Sequence, residues 1–292
     1  MQFPRTGKVA AGQGVWRADP TPSPLVIEPT RGWSKFGLRE VWEFRELTFY
    51  LMLREIQGTY RQTAFGLSWL FIRPVFNMVL LSLVFGSMMK VPSDHFPYPL
   101  FSLSALIPWG YFANAVTRAS RSLVDNLQIV SKVYFPRMIL PMAGAISGLV
   151  DMGAALAVFF VALPFYRMPL RVEMLWLPFL ALATMAYASA FGLWMATLSV
   201  RYRDVAFGIN IILQALMYLS PVIYPITVVP ESMRVFFQLN PMTGLIQGYR
   251  WTLLGGTAPG TSLAFSALVN TVLLLSGMVV FHHTERGIVD IL

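Results

Sequence analysis

Six stretches of the chain are apolar over about 20 residues or more, the length that an α-helix needs to cross the hydrocarbon core of a bilayer. A chain with so many spanning segments is typical of an integral membrane protein. We therefore predict an all-α membrane protein with six transmembrane helices. The predicted spans cover residues 65–89, 101–123, 138–164, 173–199, 206–229 and 262–282.

Residues 36–62, which precede the first span, show helical spacing with one apolar and one polar face. The apolar face includes Trp42 and Phe49, whereas Arg54 and Gln57 lie on the opposite side. Aromatic residues on the apolar face are typical of a helix that lies in the headgroup plane of a membrane. We predict an N-terminal amphipathic interfacial helix. The alternative is a helix packed on a soluble partner.

The connection between spans five and six, residues 230–261, is too long and too apolar for an ordinary loop. Asn240 and Pro241 are typical of a helix N-cap followed by proline in the first turn, and Gly255 is typical of a helix end. Pro230 opens a shorter helix. Two helices too short to span predict a re-entrant outer hairpin, which needs protein or water around it. A helical cap lying flat on the outer surface is the alternative.

The composition excludes most classes of soluble protein. Hydrophobic residues make up 56% of the 292 residues and charged residues only 12%, whereas a soluble domain carries about 25% charged residues. The polar surface is too small for a cytosolic enzyme, a nucleic-acid-binding domain or a disordered protein. The chain has no cysteine, which excludes a disulfide scaffold.

The distribution of basic residues predicts the orientation in the membrane. Most of the 22 lysine and arginine residues fall on the side that holds residues 1–64 and the loops around 125–137 and 201–204. The positive-inside rule makes that side cytoplasmic, and six spans place both termini there. Residues 1–33, rich in Gly and Pro, predict a disordered cytoplasmic tail ahead of a transmembrane domain over 34–292.

The sequence contains no motif for catalysis or nucleotide binding. None of its lysines lies in the Gly-rich Gly-Lys-Ser/Thr context of a phosphate-binding loop. His95, His282 and His283 are not spaced as metal ligands. Paired carboxylates within the spans and a Gly-x-Ser-x-Gly elbow are also absent. We therefore predict no catalytic, cofactor or metal site in this chain.

Charged residues inside the predicted spans are candidates for function, because a charge in lipid is costly. Arg73 lies about two turns into the first span. It is predicted either to contact an anionic substrate or to reach the headgroups. Asp151 lies in the middle of the third span. A structural role, in which it pairs with a basic group or accepts a hydrogen bond from a hydroxyl, is favoured over substrate contact.

Two stripes of amide and aromatic side chains run along the first and fifth spans. Such stripes suit a sugar polymer, because sugar hydroxyls hydrogen-bond to amides and the C–H faces of a sugar rest on aromatic rings. The alternative is that these groups form hydrogen bonds between helices. The stripes comprise Trp69, Phe76 and Asn77 around Arg73 in the first span, and Asn210, Gln214 and Tyr218 at i, i+4 and i+8 in the fifth.

Several short motifs occur in order over about residues 36–290. In combination they resemble the permease subunits of ABC-2 type exporters, specifically those for O-antigen, capsule and teichoic-acid polymers. The motifs are Tyr98-Pro-Leu-Phe with Ile107-Pro-Trp109, Asn114-Ala-Val-Thr-Arg-Ala-Ser120, Ser131-Lys-Val-Tyr-Phe-Pro-Arg137, Arg201-Tyr-Arg-Asp204, Ser220-Pro-Val-Ile-Tyr-Pro225 and Leu239-Asn-Pro-Met242.

The resemblance implies partners and a cargo. Such permeases form homodimers in the bacterial inner membrane, with two copies of a separate ATPase subunit that binds ATP and Mg²⁺. The cargo is a polymer on a polyprenyl diphosphate carrier. One alternative is an ABC-2 exporter of lipids or drugs. Another is a membrane glycosyltransferase, although the candidate carboxylates Asp125 and Asp204 do not form a cluster.

The resemblance also implies roles for particular residues. The loop around 125–135 matches the family's coupling helix, which docks in a groove of the ATPase by its apolar face. Tyr224 joins the two stripes in the candidate substrate pathway, and Arg73 is expected to meet the diphosphate. The candidate coupling residues are Leu127, Gln128, Val130, Ser131, Lys132 and Tyr134.

Overall fold

The computed structural model describes residues 42–60, 63–130, 132 and 135–285, and over these ranges the chain is helical without strands. This confirms the predicted all-α class. The predicted tail over residues 1–33 lies outside the described residues. The helices are α1 (Arg45–Tyr60), α2 (Trp69–Leu81), α3 (Tyr98–Asp125), α4 (Leu127–Val130), α5 (Ile139–Ala162), α6 (Leu177–Arg201), α7 (Arg203–Tyr218), α8 (Glu231–Leu239), α9 (Pro241–Leu254) and α10 (Gly260–Glu285).

Four helical segments of the described chain are long and apolar enough to cross a membrane. They coincide with the first, third, fourth and sixth predicted spans. The first contains α2 and a π-helical extension over Ser82–Met88. The segments are Gly66–Met88, Ile139–Tyr166, Val172–Arg201 and Gly260–Glu285.

The helix α3 is long enough to cross a bilayer but is more polar than these four. Its 28 residues extend about 42 Å at 1.5 Å per residue. It packs against α2, α5, α6 and α9, and the ring of Phe112 stacks on Tyr187 of α6 with 4.7 Å between centroids. The hydroxyls of Ser104 and Ser120 donate to carbonyls of α3 itself. Protein rather than lipid therefore surrounds most of α3, which explains why polar residues are tolerated there.

The helix α7 ends at Tyr218, well before the predicted end of the fifth span at residue 229. The cause is local, because Pro221 has no N–H with which to continue a helix. The backbone instead turns, and the Val222 N–H donates to the Ser220 carbonyl at 2.7 Å. The predicted span therefore consists of a 16-residue helix followed by an irregular segment.

The helix α1 packs against α5 through a narrow buried edge that contains Thr48 and Leu51. Another side of the helix leaves Phe49 and Tyr50 exposed, and Trp42 just before it is exposed as well. Exposed aromatic side chains of this kind are typical of helices at the membrane interface.

The caps predicted for α9 are confirmed. The Asn240 side-chain oxygen accepts a hydrogen bond from the Met242 N–H at 3.0 Å, and Pro241 occupies the first turn. Gly255 ends the helix with a φ of 84°, a left-handed conformation that favours glycine. All of α9 except Gln247 and Trp251 is buried against α3, α6 and α10, whereas α8 has no buried residue.

Candidate functional site

A cavity of about 400 Å³ lies among α1, α2, α3, α5 and α7. Residues of α2 and α3 form most of its lining, and α7 contributes only Met217. The volume falls within the range of about 300–1,000 Å³ that is usual for small-molecule sites.

The wall formed by α2 carries one of the two predicted stripes. Trp69, Arg73 and Asn77 recur at intervals of four residues and all line the cavity, as their helical spacing predicts. The Arg73 guanidinium lies 5.9 Å from the centre of the Trp69 ring. Within the described ranges, Arg73 has no ion-pair partner and the Asn77 amide has no hydrogen bond. Phe76 does not line the cavity and is exposed on α2.

The opposite wall contains polar groups that the sequence analysis did not select. Trp109 and Asn114 of α3 line the cavity beside Gly110, and the Asn114 amide has no hydrogen-bond partner in the part of the chain that the structure describes. The sequence did contain a signal for these two residues. Trp109 ends the motif Ile107-Pro-Trp109, and Asn114 begins the motif Asn114-Ala-Val-Thr-Arg-Ala-Ser120.

A charged network closes one side of the cavity. Asp151 of α5 accepts a hydrogen bond from the Tyr60 hydroxyl at the end of α1, and its other oxygen lies 3.1 Å from the Arg118 guanidinium of α3. Burial, reinforced by the hydrogen bond to Asp151, raises the pKa of Tyr60, so the phenol stays protonated and donates. The pairing predicted for Asp151 is confirmed. This network joins α1, α3 and α5.

The second stripe does not reach the cavity. Asn210, Gln214 and Tyr218 all lie on the exposed side of α7, and Phe207 and Ile211 are exposed with them. The structure therefore does not bring the two predicted stripes together around this cavity.

Tyr224 belongs to a third region, the segment between α7 and α8. Its hydroxyl donates to the Tyr218 carbonyl at 2.6 Å, and its ring lies edge-on to Phe237 of α8. These contacts hold the segment against the end of α7.

A buried arginine organises the same segment from the other side. Arg250 of α9 donates to the carbonyls of Val222 and Tyr224 at 3.1 and 3.4 Å, and its guanidinium lies 3.8 Å from the centre of the Phe101 ring. The Tyr98 hydroxyl donates to the Ile223 carbonyl between them at 2.8 Å. Three successive carbonyls thus receive donors from α3 and α9.

The candidate coupling residues lie between α3 and α5. The Val130 side chain is buried with Phe135 and Met138, Leu127 is half-buried, and Gln128 and Lys132 are exposed. Just before α4, the Asn126 side chain accepts a hydrogen bond from Arg54 of α1. The candidates Ser131 and Tyr134 lie outside the described residues.

A polar cavity among apolar helices is a feature that many membrane transport proteins share. The profile of the ABC-2 type transporter family matches residues 46–254, which is more than half of the chain. The chain therefore belongs to the ABC-2 type transporter family.

The chain aligns with three transport proteins over nearly the whole length of each of them. The chain is 27% identical to the O-antigen export system permease protein RfbA of Myxococcus xanthus over 84% of this chain and 94% of the relative. It is 22% identical to the protein of the same name from Klebsiella pneumoniae, over 85% and 95%. It is 20% identical to the polysialic acid transport protein KpsM of Escherichia coli, over 81% and 93%.

Proposed function

We propose that this chain is the permease subunit of an ATP-driven ABC exporter that moves a polysaccharide, linked to a polyprenyl diphosphate carrier, across the bacterial inner membrane. The observation that carries the proposal is the Arg73 guanidinium, which lines a cavity among apolar helices and has no ion-pair partner in the described ranges. A charged side chain within a membrane span is a candidate contact for a ligand, and an anionic ligand is the one that complements this cation. The names of relatives that match along nearly their whole length support a polysaccharide as the exported polymer.

In this proposal the subunit has six spans with both termini in the cytoplasm. Two further spans are needed in addition to the four apolar segments. They are α3, which is surrounded by protein, and α7 together with the segment that follows it. The helices α8 and α9 form the re-entrant outer hairpin. The burial of α9 supports this, because non-spanning backbone at membrane depth needs protein around it.

The pathway for the polymer lies between two protomers. The exposed stripe of Asn210, Gln214 and Tyr218 on α7 faces it, together with Phe76 of α2. The support is that these amides and aromatic rings lie on the surface of one protomer, where they can face a second copy. Arg73 stands at the cytoplasmic entrance and meets the diphosphate by a charge-assisted contact.

Two copies of an ATPase subunit bind ATP and Mg²⁺ and drive the cycle. They contact this chain through residues 127–134, where Gln128 and Lys132 are the exposed described members. Arg54 and Asn126 connect that segment to α1, so a movement of the docked ATPase reaches the helix that carries Tyr60.

The coupling role gives a direct prediction. Tyr134→Asp places an unpaired charge in the docking contact and should cost several kcal/mol of assembly free energy. We expect the ATPase to be lost on co-purification while the permease still accumulates in the membrane. Tyr166→Asp, the same change in a turn predicted to lie on the opposite side, is the control. If ATPase binding and export persist in Tyr134→Asp, residue 134 does not dock the ATPase.

The proposed function is tested by deleting the gene and staining glycan on the cell surface and inside the cell. We expect surface glycan to disappear and carrier-linked glycan to accumulate inside, and the wild-type gene should restore export. Normal surface glycan in the deletion strain would contradict a polysaccharide cargo. If the deletion strain instead kept its surface glycan and lost an exported lipid or its resistance to a drug, the exported substrate would be that lipid or drug.

A further inference from the structure

A single glycine brings the far end of the α2 segment into contact with the start of α3. After Leu81 the helix continues as the π-helical segment Ser82–Met88, and Gly86 in that segment faces the ring of Tyr98. A Cβ atom at position 86 would lie 2.9 Å from Cγ of Tyr98, a distance too short for two carbon atoms that are not bonded. Only glycine therefore allows this contact.

The backbone around this contact is unusual. π-Helical turns are rare and lie frequently at functional sites. In the loop that returns the chain to α3, Lys90, Asp94 and His95 have φ of 52°, 48° and 69°, a left-handed conformation that residues other than glycine seldom adopt. Backbone of this kind persists only where contacts around it hold it in place.

The contacts that hold this region join it to the segment between α7 and α8, residues 219–230, which we call the outer segment. The Tyr98 hydroxyl donates to the Ile223 carbonyl at 2.8 Å, and the Thr227 hydroxyl donates to a carboxylate oxygen of Asp94 at 3.0 Å. Tyr98 and Ile223 are both buried. Loss of the Tyr98 donor would therefore leave the Ile223 carbonyl unsatisfied.

The same stretch of helix lines the cavity. Residues of α2 from Trp69 to Leu81 contribute to the cavity wall, and the π-helical segment begins at the next residue. Because the helix is continuous, a displacement of α2 at the cavity also moves Gly86 against the Tyr98 ring. The ring in turn positions the hydroxyl that holds the outer segment.

We propose that Gly86 and Tyr98 are positioning residues that hold the outer segment closed and release it when α2 moves. In the closed arrangement, Gly86 seats the Tyr98 ring and the hydroxyl of that ring fixes Ile223. A shift of α2 displaces the ring, breaks this hydrogen bond and frees the chain that leads into α8. This inference rests on the proposed function, in which α8 belongs to the outer hairpin beside the polymer pathway.

The test uses single cysteines, because the chain has none of its own. Val222→Cys reports opening of the outer segment, since Val222 is fully buried and its hydrogen bond to Arg250 involves only the backbone carbonyl. Ala196→Cys reports a general loss of structure, since Ala196 is equally buried in a separate cluster of side chains. The full-length chain is reconstituted in nanodiscs, and labelling by a water-soluble thiol reagent is timed without nucleotide.

Tyr98→Phe removes the hydroxyl and keeps the ring. We expect labelling at position 222 to become about fivefold faster, which corresponds to the loss of one hydrogen bond in the closed state, and labelling at 196 to stay unchanged. Tyr111→Phe is the matched control, because it removes another hydroxyl of α3, one that donates to the Ala145 carbonyl at 2.9 Å. Unchanged labelling at 222 in Tyr98→Phe, an equal rise at 196, or an equal rise in Tyr111→Phe would overturn the proposal.

Gly86→Ala tests whether α2 reaches the outer segment. The added methyl group crowds the Tyr98 ring and should speed labelling at position 222 at least as much as Tyr98→Phe does. Gly153→Ala of α5, where a Cβ atom would meet no atom within 4 Å, should have no effect. Gly86→Ala combined with Tyr98→Phe should label no faster than the faster single variant, because both act through one hydrogen bond. Additive effects, or no effect of Gly86→Ala, would contradict the proposed connection.

Surface glycan in the complemented deletion strain separates this inference from the proposed function. Restored export with labelling at position 222 that ignores Tyr98→Phe and Gly86→Ala would overturn the inference and leave the function standing. If labelling follows the expected pattern while deletion of the gene leaves surface glycan unchanged, the positioning role of Tyr98 is supported and the polysaccharide cargo is wrong.

Discussion

Arg250 and Arg73 both lie on helices beside an aromatic ring, but their surroundings differ. Arg250 is buried, donates to the carbonyls of Val222 and Tyr224, and lies 3.8 Å from the centre of the Phe101 ring. Arg73 is exposed and lines the cavity, and its guanidinium lies farther from a ring, at 5.9 Å from the centre of Trp69. The first arginine is committed to holding the fold, and the second is available to a ligand.

The difference has a physical cause. A buried guanidinium is costly unless its nitrogens form hydrogen bonds, and two of the three nitrogens of Arg250 do so, whereas Nε has no acceptor among the described residues. Removing Arg250 therefore leaves carbonyls without donors. Removing Arg73 leaves no group of the described chain without a hydrogen bond. The comparison predicts that substitutions around Arg250 change stability and that substitutions around Arg73 change transport.

The largest loss of stability is expected for Arg250→Leu. The carbonyls of Val222 and Tyr224 lose their donors and the contact with Phe101 is lost, which together should lower the free energy of unfolding by about 3 kcal/mol. Arg250→Lys retains the charge but not the two-pronged geometry, so its loss should be smaller. Denaturant unfolding of the purified chain in detergent measures both. A Leu variant as stable as wild type would show that the segment after α7 does not depend on Arg250.

A smaller loss of stability is expected for substitutions of Asp151. Like Arg250, Asp151 holds neighbouring helices together, although it lines the same cavity as Arg73. Asp151→Ala leaves the partly buried Arg118 and the Tyr60 hydroxyl without their partner and should cost about 2 kcal/mol. Asp151→Asn keeps an acceptor for Tyr60 and should cost about half as much. Denaturant unfolding in detergent measures the free energy of unfolding of both Asp151 variants. Equal losses would mean that the charge of Asp151 contributes everything and its hydrogen bond to Tyr60 nothing.

Substitutions on the exposed side of α7 are expected to cost little stability, because the amides of Asn210 and Gln214 form no hydrogen bond within the described part of the chain. Gln214→Cys should react with a water-soluble thiol reagent during ATP turnover, because the proposed pathway holds water. Leu213→Cys, the buried neighbour, should not. Equal labelling of both positions, or none, would mean that the stripe does not face an aqueous pathway.

The sequence predicted those features that depend on neighbouring residues. Asn240, Pro241 and Gly255 bound α9 as predicted, because caps act within a few residues of the helix end. The pairing of Asp151 was predictable as well, since a carboxylate in the middle of a span needs a partner. Its actual partners, Tyr60 and Arg118, lie on two other helices and could not be read from helical spacing.

Features that depend on helix packing escaped the sequence analysis. Asn114 and Trp109 form a wall of the cavity only because α3 lies in the centre of the bundle, and their periodicity does not distinguish this wall from a packed face. Arg250 lies in the connection between the fifth and sixth predicted spans and received no role from the sequence, yet it is buried through contacts with Phe101 of α3 and with the segment after α7. Burial against distant helices is not encoded in local spacing.

The central claim is that Arg73 serves transport and not folding, and Arg73→Ala in the complemented deletion strain tests it most directly. Surface glycan is measured per folded permease, with Arg73→Lys as the matched variant that keeps the charge. We predict that Arg73→Ala accumulates and unfolds like wild type while surface glycan is largely lost and carrier-linked glycan remains inside, with Arg73→Lys less impaired. Normal export by Arg73→Ala, or a loss of stability as large as that of Arg250→Leu, would contradict the account.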